Sequence, residues 1–278
     1  SVALGNVARA TKQGSVAIGS YVNAETTNSG TATAPVYNSK DVGQYSTAVG
    51  SQSWTKGDYS AAYGYKAEAQ GSSSVAVGRE SVATGSSSVA VGYTNKAKKN
   101  VAVALGVNND VDGEESTAVG SSNTIATNAN QASVIGRKNK VNRAGSFVGG
   151  FSNVTNGERN VAVGSENTTT GEDSIGIGTK VIAGTGKTIA IGSVASNDGT
   201  TLQTIARGND TINAATGQVN NIFALAIGNG AQADGKAKSA SGMIAIGQEV
   251  LADNNNTVAI GVKTKATGNN GLAVGSYT

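Results

Sequence analysis

Cysteine and histidine are both absent from this 278-residue chain, which also has one proline, one tryptophan and only 4% aromatic residues. Without cysteine there are no disulfides and no thiolate zinc sites. Without histidine, a His-dependent catalytic triad and His-ligated metals are excluded. No apolar run approaches the ~18 residues that a membrane-spanning helix needs. Charge of one sign is scarce too: the net charge is +3 and the pI about 9.0, a mild bias that implies no nucleic-acid partner. So few large side chains cannot fill a globular core. Burial has to come from many small, regular contacts.

Glycine, at 39 residues, is abundant, and it is spaced. The pattern Ser-Val-Ala-Val/Ile-Gly recurs from Gly5 to Gly275, mostly at intervals of 14 residues, with longer steps of 31, 16, 36 and 19 that read as insertions. A second glycine often falls seven residues after the first, as at Gly57, Gly71, Gly85, Gly113, Gly157, Gly171, Gly235 and Gly268. Two glycines half a period apart suit a coil of two strands and two tight turns, since such turns often need positive φ. The expected fold is all-β: a solenoid of 14-residue coils over residues 1–278, with insertions at about 20–45 and 193–223.

The two strands of a coil differ. Before the motif glycine, two branched residues flank a small one: Val75 and Val77, Val89 and Val91, Ile189 and Ile191, Val258 and Ile260. Neither face of this first strand is polar. After the glycine, small residues alternate with polar ones, as in Ala67-Glu68-Ala69-Gln70. One face of the first strand can pack inside its own coil, but nothing in the chain covers the other. A continuous Val/Ile strip exceeds the apolar patch that a soluble monomer exposes, so it should drive association. Small side chains are assigned to the coil interior and Val/Ile to neighbouring subunits, with the reverse assignment as the alternative. Closure into a ring avoids an open fibre. A third row, Asn95, Asn109, Asn123, Asn139, Asn153 and Asn167, is expected to stack as an amide ladder.

The segments SVAIG (15–19), SVAVG (74–78 and 88–92) and TVAIG (257–261), with the half-period glycine, resemble the YadA-like head repeat of trimeric autotransporter adhesins. The resemblance implies a left-handed parallel β-roll, a homotrimer, and display on the bacterial cell surface from the outer membrane by a C-terminal barrel. It also implies adhesion to host matrix proteins (collagen, fibronectin or laminin) or to a host cell-surface receptor, without enzymatic activity or cofactor. Neck, coiled-coil stalk and barrel are not found here. SVALGNVARA at the start and GLAVGSYT at the end already belong to the repeat, so the chain reads as part of a longer polypeptide, with signal peptide and membrane anchor outside it. A structural spacer or autoagglutination module without its own ligand is the alternative role.

No catalytic residues are assigned. Glu114–Glu115 and Glu172–Asp173 sit beside turn glycines and read as solvated turn charge rather than acid–base pairs. Asn108, Asp110, Asp112 and Gly113 open like a calcium loop, but Val119 stands where the bidentate glutamate belongs. Candidate ligand-binding residues are the aromatics crowded beside the first insertion: Tyr37, Tyr45, Trp54, Tyr59 and Tyr65, with Tyr63 placed in the Val/Ile strip. The alternative is that the insertion folds back and covers them. Two basic clusters, Lys96, Lys98 and Lys99, and Arg137, Lys138, Lys140 and Arg143, are candidates for acidic glycans. Their alternative is an ordinary solvated edge. TTLQTIARGNDTI (200–212) reads as a hairpin around Arg207–Asp210.

Overall fold

A computed structural model describes residues 1–27, 36–39, 41–184, 187–193, 195–197, 200–202, 204–207, 223–234 and 242–278. The described residues form two compact units, Ser1–Arg137 and Lys138–Thr278. Each unit is a parallel β-solenoid of 14-residue coils, and most coils contribute one rung to each of two sheets.

In the first unit the strands that close on the motif glycine stack parallel and in register. Val75–Val77 pairs with Ala61–Tyr63 on one side and with Val89–Tyr93 on the other, residue for equivalent residue. Two-residue rungs such as Glu68–Ala69, Val82–Ala83 and Lys96–Ala97 build the second sheet in the same way. The second unit repeats the plan, from Phe147–Phe151 against Val161–Ser165 to Val258–Val262 against Leu272–Ser276. Its second sheet runs from Lys140–Val141 to Lys265–Ala266.

Small side chains fill much of the interior, with Val111, Ile125, Val134 and Val141 among the larger exceptions. Ala62, Ala76, Ala90, Ala104 and Ala118, the middle residues of successive first strands, are completely buried, as are Ala67, Ala69 and Ala83 from the second. Val75, Val77, Val89, Val91, Ile189, Ile191 and Val258 point the other way and are half-buried, and Ile260 is 37% exposed. The small residues face inward, as expected, and Val and Ile face outward. In the second unit the outer face of the second sheet departs from the expected polar row, because Val154, Thr168, Ile182 and Ile205 succeed one another along it.

The half-period glycines serve a different purpose from the one expected. Gly57, Gly71, Gly85 and Gly113 do not have positive φ; a Cβ on any of them would instead run into a backbone carbonyl of the next coil. The left-handed turn positions are held mostly by other residues, including Lys66, Ser73, Glu80, Ser87, Thr94 and Val101, with φ of 53–56°. Each such residue costs about 1–2 kcal/mol. The stack offsets this, because every one of these N–H groups donates to a carbonyl of the preceding coil: Lys66 to Ser51, Ser73 to Asp58, Glu80 to Tyr65, Ser87 to Ser72. The strain is over-determined by its surroundings.

Side chains satisfy the remaining backbone groups. The serine that opens the motif is buried and caps the carbonyl three residues back, as Ser60 does to Gly57 (2.6 Å), Ser74 to Gly71 (2.7 Å) and Ser88 to Gly85 (2.6 Å). The asparagine ladder is present in each unit. Asn109 Nδ2 donates to Asn95 Oδ1 (3.0 Å) and to the Gly120 carbonyl (2.9 Å), and Asn123 Nδ2 donates to Asn109 Oδ1 (2.9 Å). In the second unit Asn153 Nδ2 reaches Asn139 Oδ1 at 3.1 Å. At Asn167 the side-chain rung ends: its Nδ2 turns to the Val163 and Gly178 carbonyls, while its backbone N–H still donates to Asn153 Oδ1.

The insertions leave the solenoid as antiparallel pairs, Ala24–Thr27 with Val36–Ser39 and Ala195–Asn197 with Thr200–Leu202. The hairpin expected around Arg207–Asp210 is displaced. Ile205–Arg207 is a rung of the second sheet between Ile182–Ala183 and Gln232–Asp234, with Ala206 fully buried in register with Ala183 and Ala233. Residues 208–222 lie outside the described set.

Two substitutions test this account. Gly71→Ala, whose Cβ would strike the Gly85 carbonyl, should lower unfolding stability by about 3 kcal/mol or more. An unchanged stability would exclude inter-coil contact as the reason for glycine there. Asn109→Ala removes a ladder rung together with the side-chain bond to the Gly120 carbonyl; a loss of about 1–3 kcal/mol in urea titration is expected.

Candidate functional site

The aromatics that crowd together in the sequence are divided by the coil between its two edges. Tyr45 and Tyr59 occupy the left-handed position of the turn that leads into the first strand, with φ of 52° and 56°. One coil apart, their rings stack nearly parallel, 9° between planes and 5.5 Å between centroids. Tyr45 lies over Gly14, where any Cβ would collide with the ring. Tyr59 is 65% exposed. Its backbone is held by a hydrogen bond to the Gln44 carbonyl (2.9 Å), and Asp58 Oδ1 accepts from the Gln44 N–H at 2.8 Å. The result is a rigid two-ring ledge with polar neighbours.

Tyr65 stands on the opposite edge, beyond the strand Ala61–Tyr63, in the turn that follows the motif glycine. Lys66 Nζ lies 5.2 Å from its ring centre. Arg79, one coil on, sits between the rings of Tyr65 and Tyr93, at 6.0 and 5.4 Å. Sequence reading missed Tyr93 and Arg79. The signal was available, since both occupy the same repeat position as Tyr65, one residue after the glycine.

Trp54 is on the outer face of the second sheet, paired with Glu68. It is half-buried, and its Nε1–H donates to the Asp41 carbonyl at 2.8 Å. Asp41, at the end of the first insertion, therefore supplies a partner for the indole nitrogen. Tyr63 is 42% exposed in the Val/Ile strip. Tyr37 is placed only by its backbone, opposite Thr26; its side chain lies outside the described residues.

The first basic cluster is largely neutralised. Lys98 Nζ lies 2.6 Å from Asp110 and Lys99 Nζ 3.9 Å from Asp112, while Lys96 is exposed. Those pairs also account for the carboxylates of the calcium-like loop, and Thr127 donates to Asp112 at 2.7 Å. In the second cluster Arg137, Lys138, Lys140 and Arg143 are all exposed. The paired carboxylates are turn charges: Asn100 donates to Glu114 (3.2 Å) and Gln131 to Glu115 (3.0 Å) across coils. Asp173 meets Arg159 at 2.5 Å and Lys187 at 3.6 Å. The hydrogen bond from Arg159 holds the Asp173 carboxyl below the ordinary carboxylate range, and Arg159 is raised in turn.

The family model for the YadA head domain repeat matches residues 1–21, 42–67, 69–95, 101–123 and 252–278. The chain carries the YadA head repeat. The Tyr45–Tyr59 ledge, Trp54 and the Tyr65–Arg79–Tyr93 column all fall inside matched YadA segments, so they are decorations of the repeat and not part of a separate module. The second insertion and the coils from Lys138 to Ile246 fall outside the matched segments, although their strands keep the YadA register. No curated protein matches the chain.

The Asp173 shift makes a checkable prediction. Its stabilising contribution should be complete above the unfolded carboxylate pKa of about 3.9 and should fade as pH falls through its lower folded value. Arg159→Gln should move the Asp173 NMR titration midpoint upward, toward the ordinary value. An unmoved midpoint would remove Arg159 as the cause.

Proposed function

We propose that this chain is the head of a bacterial trimeric surface adhesin, a single head domain of a longer polypeptide displayed from the outer membrane. Three copies bury the Val/Ile strip against one another. The observation that carries the reading is the strip itself. Val77, Val91 and Leu105 follow in register on the outer face of the first sheet, no segment of the described chain covers them, and the same coils carry the YadA repeat. Adhesins of this family are held at the surface by an anchor outside the head.

The partner is a host matrix protein, such as collagen, fibronectin or laminin, or a host cell-surface receptor. The exposed Tyr45–Tyr59 ledge and the half-buried Trp54 are the favoured contacts, because aromatic rings on an ordered backbone give contact area at low entropic cost. Three copies per head multiply a modest single-site affinity. The basic residues are secondary candidates for acidic glycans, with Lys98 and Lys99 already holding carboxylate partners.

Light scattering of the purified chain should give about three times its 27.4 kDa mass. In a screen against collagen, fibronectin, laminin and epithelial receptors, Trp54→Ala and Tyr59→Ala should reduce binding at least about tenfold, the equivalent of one lost anchor, with the trimer mass unchanged. Undiminished binding would sink the aromatic contact site. A trimer that binds none of the panel would favour the spacer role instead.

A further inference from the structure

We infer that two coils, one carrying Tyr63 and one carrying Phe147, set the axial register at which copies of this chain dock on each other. This rests on the association proposed above and answers a question that association leaves open. A strip of near-identical coils looks the same after a shift of one coil: Val75 and Val77 are followed by Val89 and Val91, then by Val103 and Leu105. Apolar burial is non-directional. It barely distinguishes a copy docked level from one docked a coil higher. Assemblies with this degeneracy need a residue that breaks it.

The coil of Gly64 does so. Its strand reads Ala61-Ala62-Tyr63, so the first strip position loses its branched side chain while the second gains a ring 42% exposed. Val75 and Val77 lie above this pair, Thr47 and Val49 below. In the second unit the coil of Gly150 makes the reverse exchange. Phe147, 41% exposed, takes the first position and Gly149, with no side chain, the second. The ring leans across that glycine: a Cβ there would meet Phe147 Cε1 at 3.8 Å. Neither ring serves its own coil's interior, which is closed by Ala62 and Val148, both fully buried.

A closed ring of copies is joined heterologously, one margin of the strip meeting the other margin on the next copy. A knob and a hole on the same coil then meet only when the copies are level. Tyr63 fills the space in front of the neighbour's Ala61. One coil higher it strikes the neighbour's Val75, and the Ala61 space stays empty. Overpacking and a void arise together. The partner fitted by these two coils is a second copy of this chain at equal height.

The test uses the whole chain, which has no cysteine of its own. A single Ser121→Cys carrying a trifluoromethyl tag should give one ¹⁹F resonance in a level, symmetric trimer. Erasing both knobs with Ala61→Val, Tyr63→Val, Phe147→Val and Gly149→Val copies the neighbouring Val-x-Val coils. It should keep the trimer mass and split the signal into two or more resonances. One resonance from an intact erased trimer overturns the inference. A second variant moves the knob up one coil: Ala61→Val, Tyr63→Val, Val75→Ala and Val77→Tyr. Refolded with the parent chain, it should sort into homotrimers by native mass spectrometry. Statistical mixing, in which about three quarters of trimers are mixed for a three-membered ring, overturns it as well. A monomeric parent chain would instead defeat the association reading, a result distinguishable from either.

Discussion

The whole molecule depends on how closely one coil approaches the next. Along both sheets and through both turns, backbone N–H groups of one coil donate to carbonyls of its neighbour, so that successive coils are one hydrogen bond apart around most of their circumference. At that spacing, ~4.7–4.9 Å between strands, there is no room for a side chain wherever Cα–Cβ points along the stack. At the half-period positions glycine is then dictated by the neighbour's backbone, whereas the motif glycines such as Gly64 and Gly78 combine that clash with a positive φ. The same closeness explains why so many ordinary residues accept a left-handed conformation. Their N–H groups have partners one coil below, and relaxing φ would break those bonds.

The period, the two-sheet coil and the inward alanines were legible in the sequence because each is a one-dimensional regularity. Val75-Ala76-Val77 means the same at every coil. The asparagine ladder was legible for the same reason. The reason for the half-period glycines was not: a turn glycine and a glycine facing a carbonyl leave the same mark in a sequence. Nor was the role of the motif serine, whose cap on the Gly57, Gly71 or Gly85 carbonyl depends on the side chain turning inward. The second insertion misled for a different reason. Ile205-Ala206 is a rung whose partners, Ile182–Ala183 and Gln232–Asp234, lie more than twenty residues away on either side.

The candidate site was half legible. Tyr45, Trp54, Tyr59 and Tyr65 stood out by composition, but linear proximity exaggerated their association. Within a 14-residue coil, a separation of six residues carries a side chain from one edge to the other, whereas a separation of 14 stacks it directly on its equivalent. Tyr59 therefore belongs with Tyr45, and Tyr65 with Arg79 and Tyr93. Charge follows the same rule. Lys98 meets Asp110 rather than its sequence neighbours, so a run that looks basic in one dimension is nearly neutral on the surface.

Periodicity is also what makes the departures from it informative. A fold assembled from one repeated contact gains stability from every coil alike, and for that reason the contact carries no address. Uniform rows supply adhesion between coils and between copies; irregular residues have to supply position. Tyr63 and Phe147 interrupt the outward strip while the inward residues Ala62 and Val148 keep their coils closed, so the interruption costs the solenoid little and is visible only from outside. The Tyr45–Tyr59 ledge has the same logic on another edge, where a turn position otherwise held by residues such as Ser73, Ser87 and Glu115 carries two stacked rings. In a molecule whose scaffold is this repetitive, recognition of a neighbour and recognition of a ligand both have to be written in the residues that break the repeat.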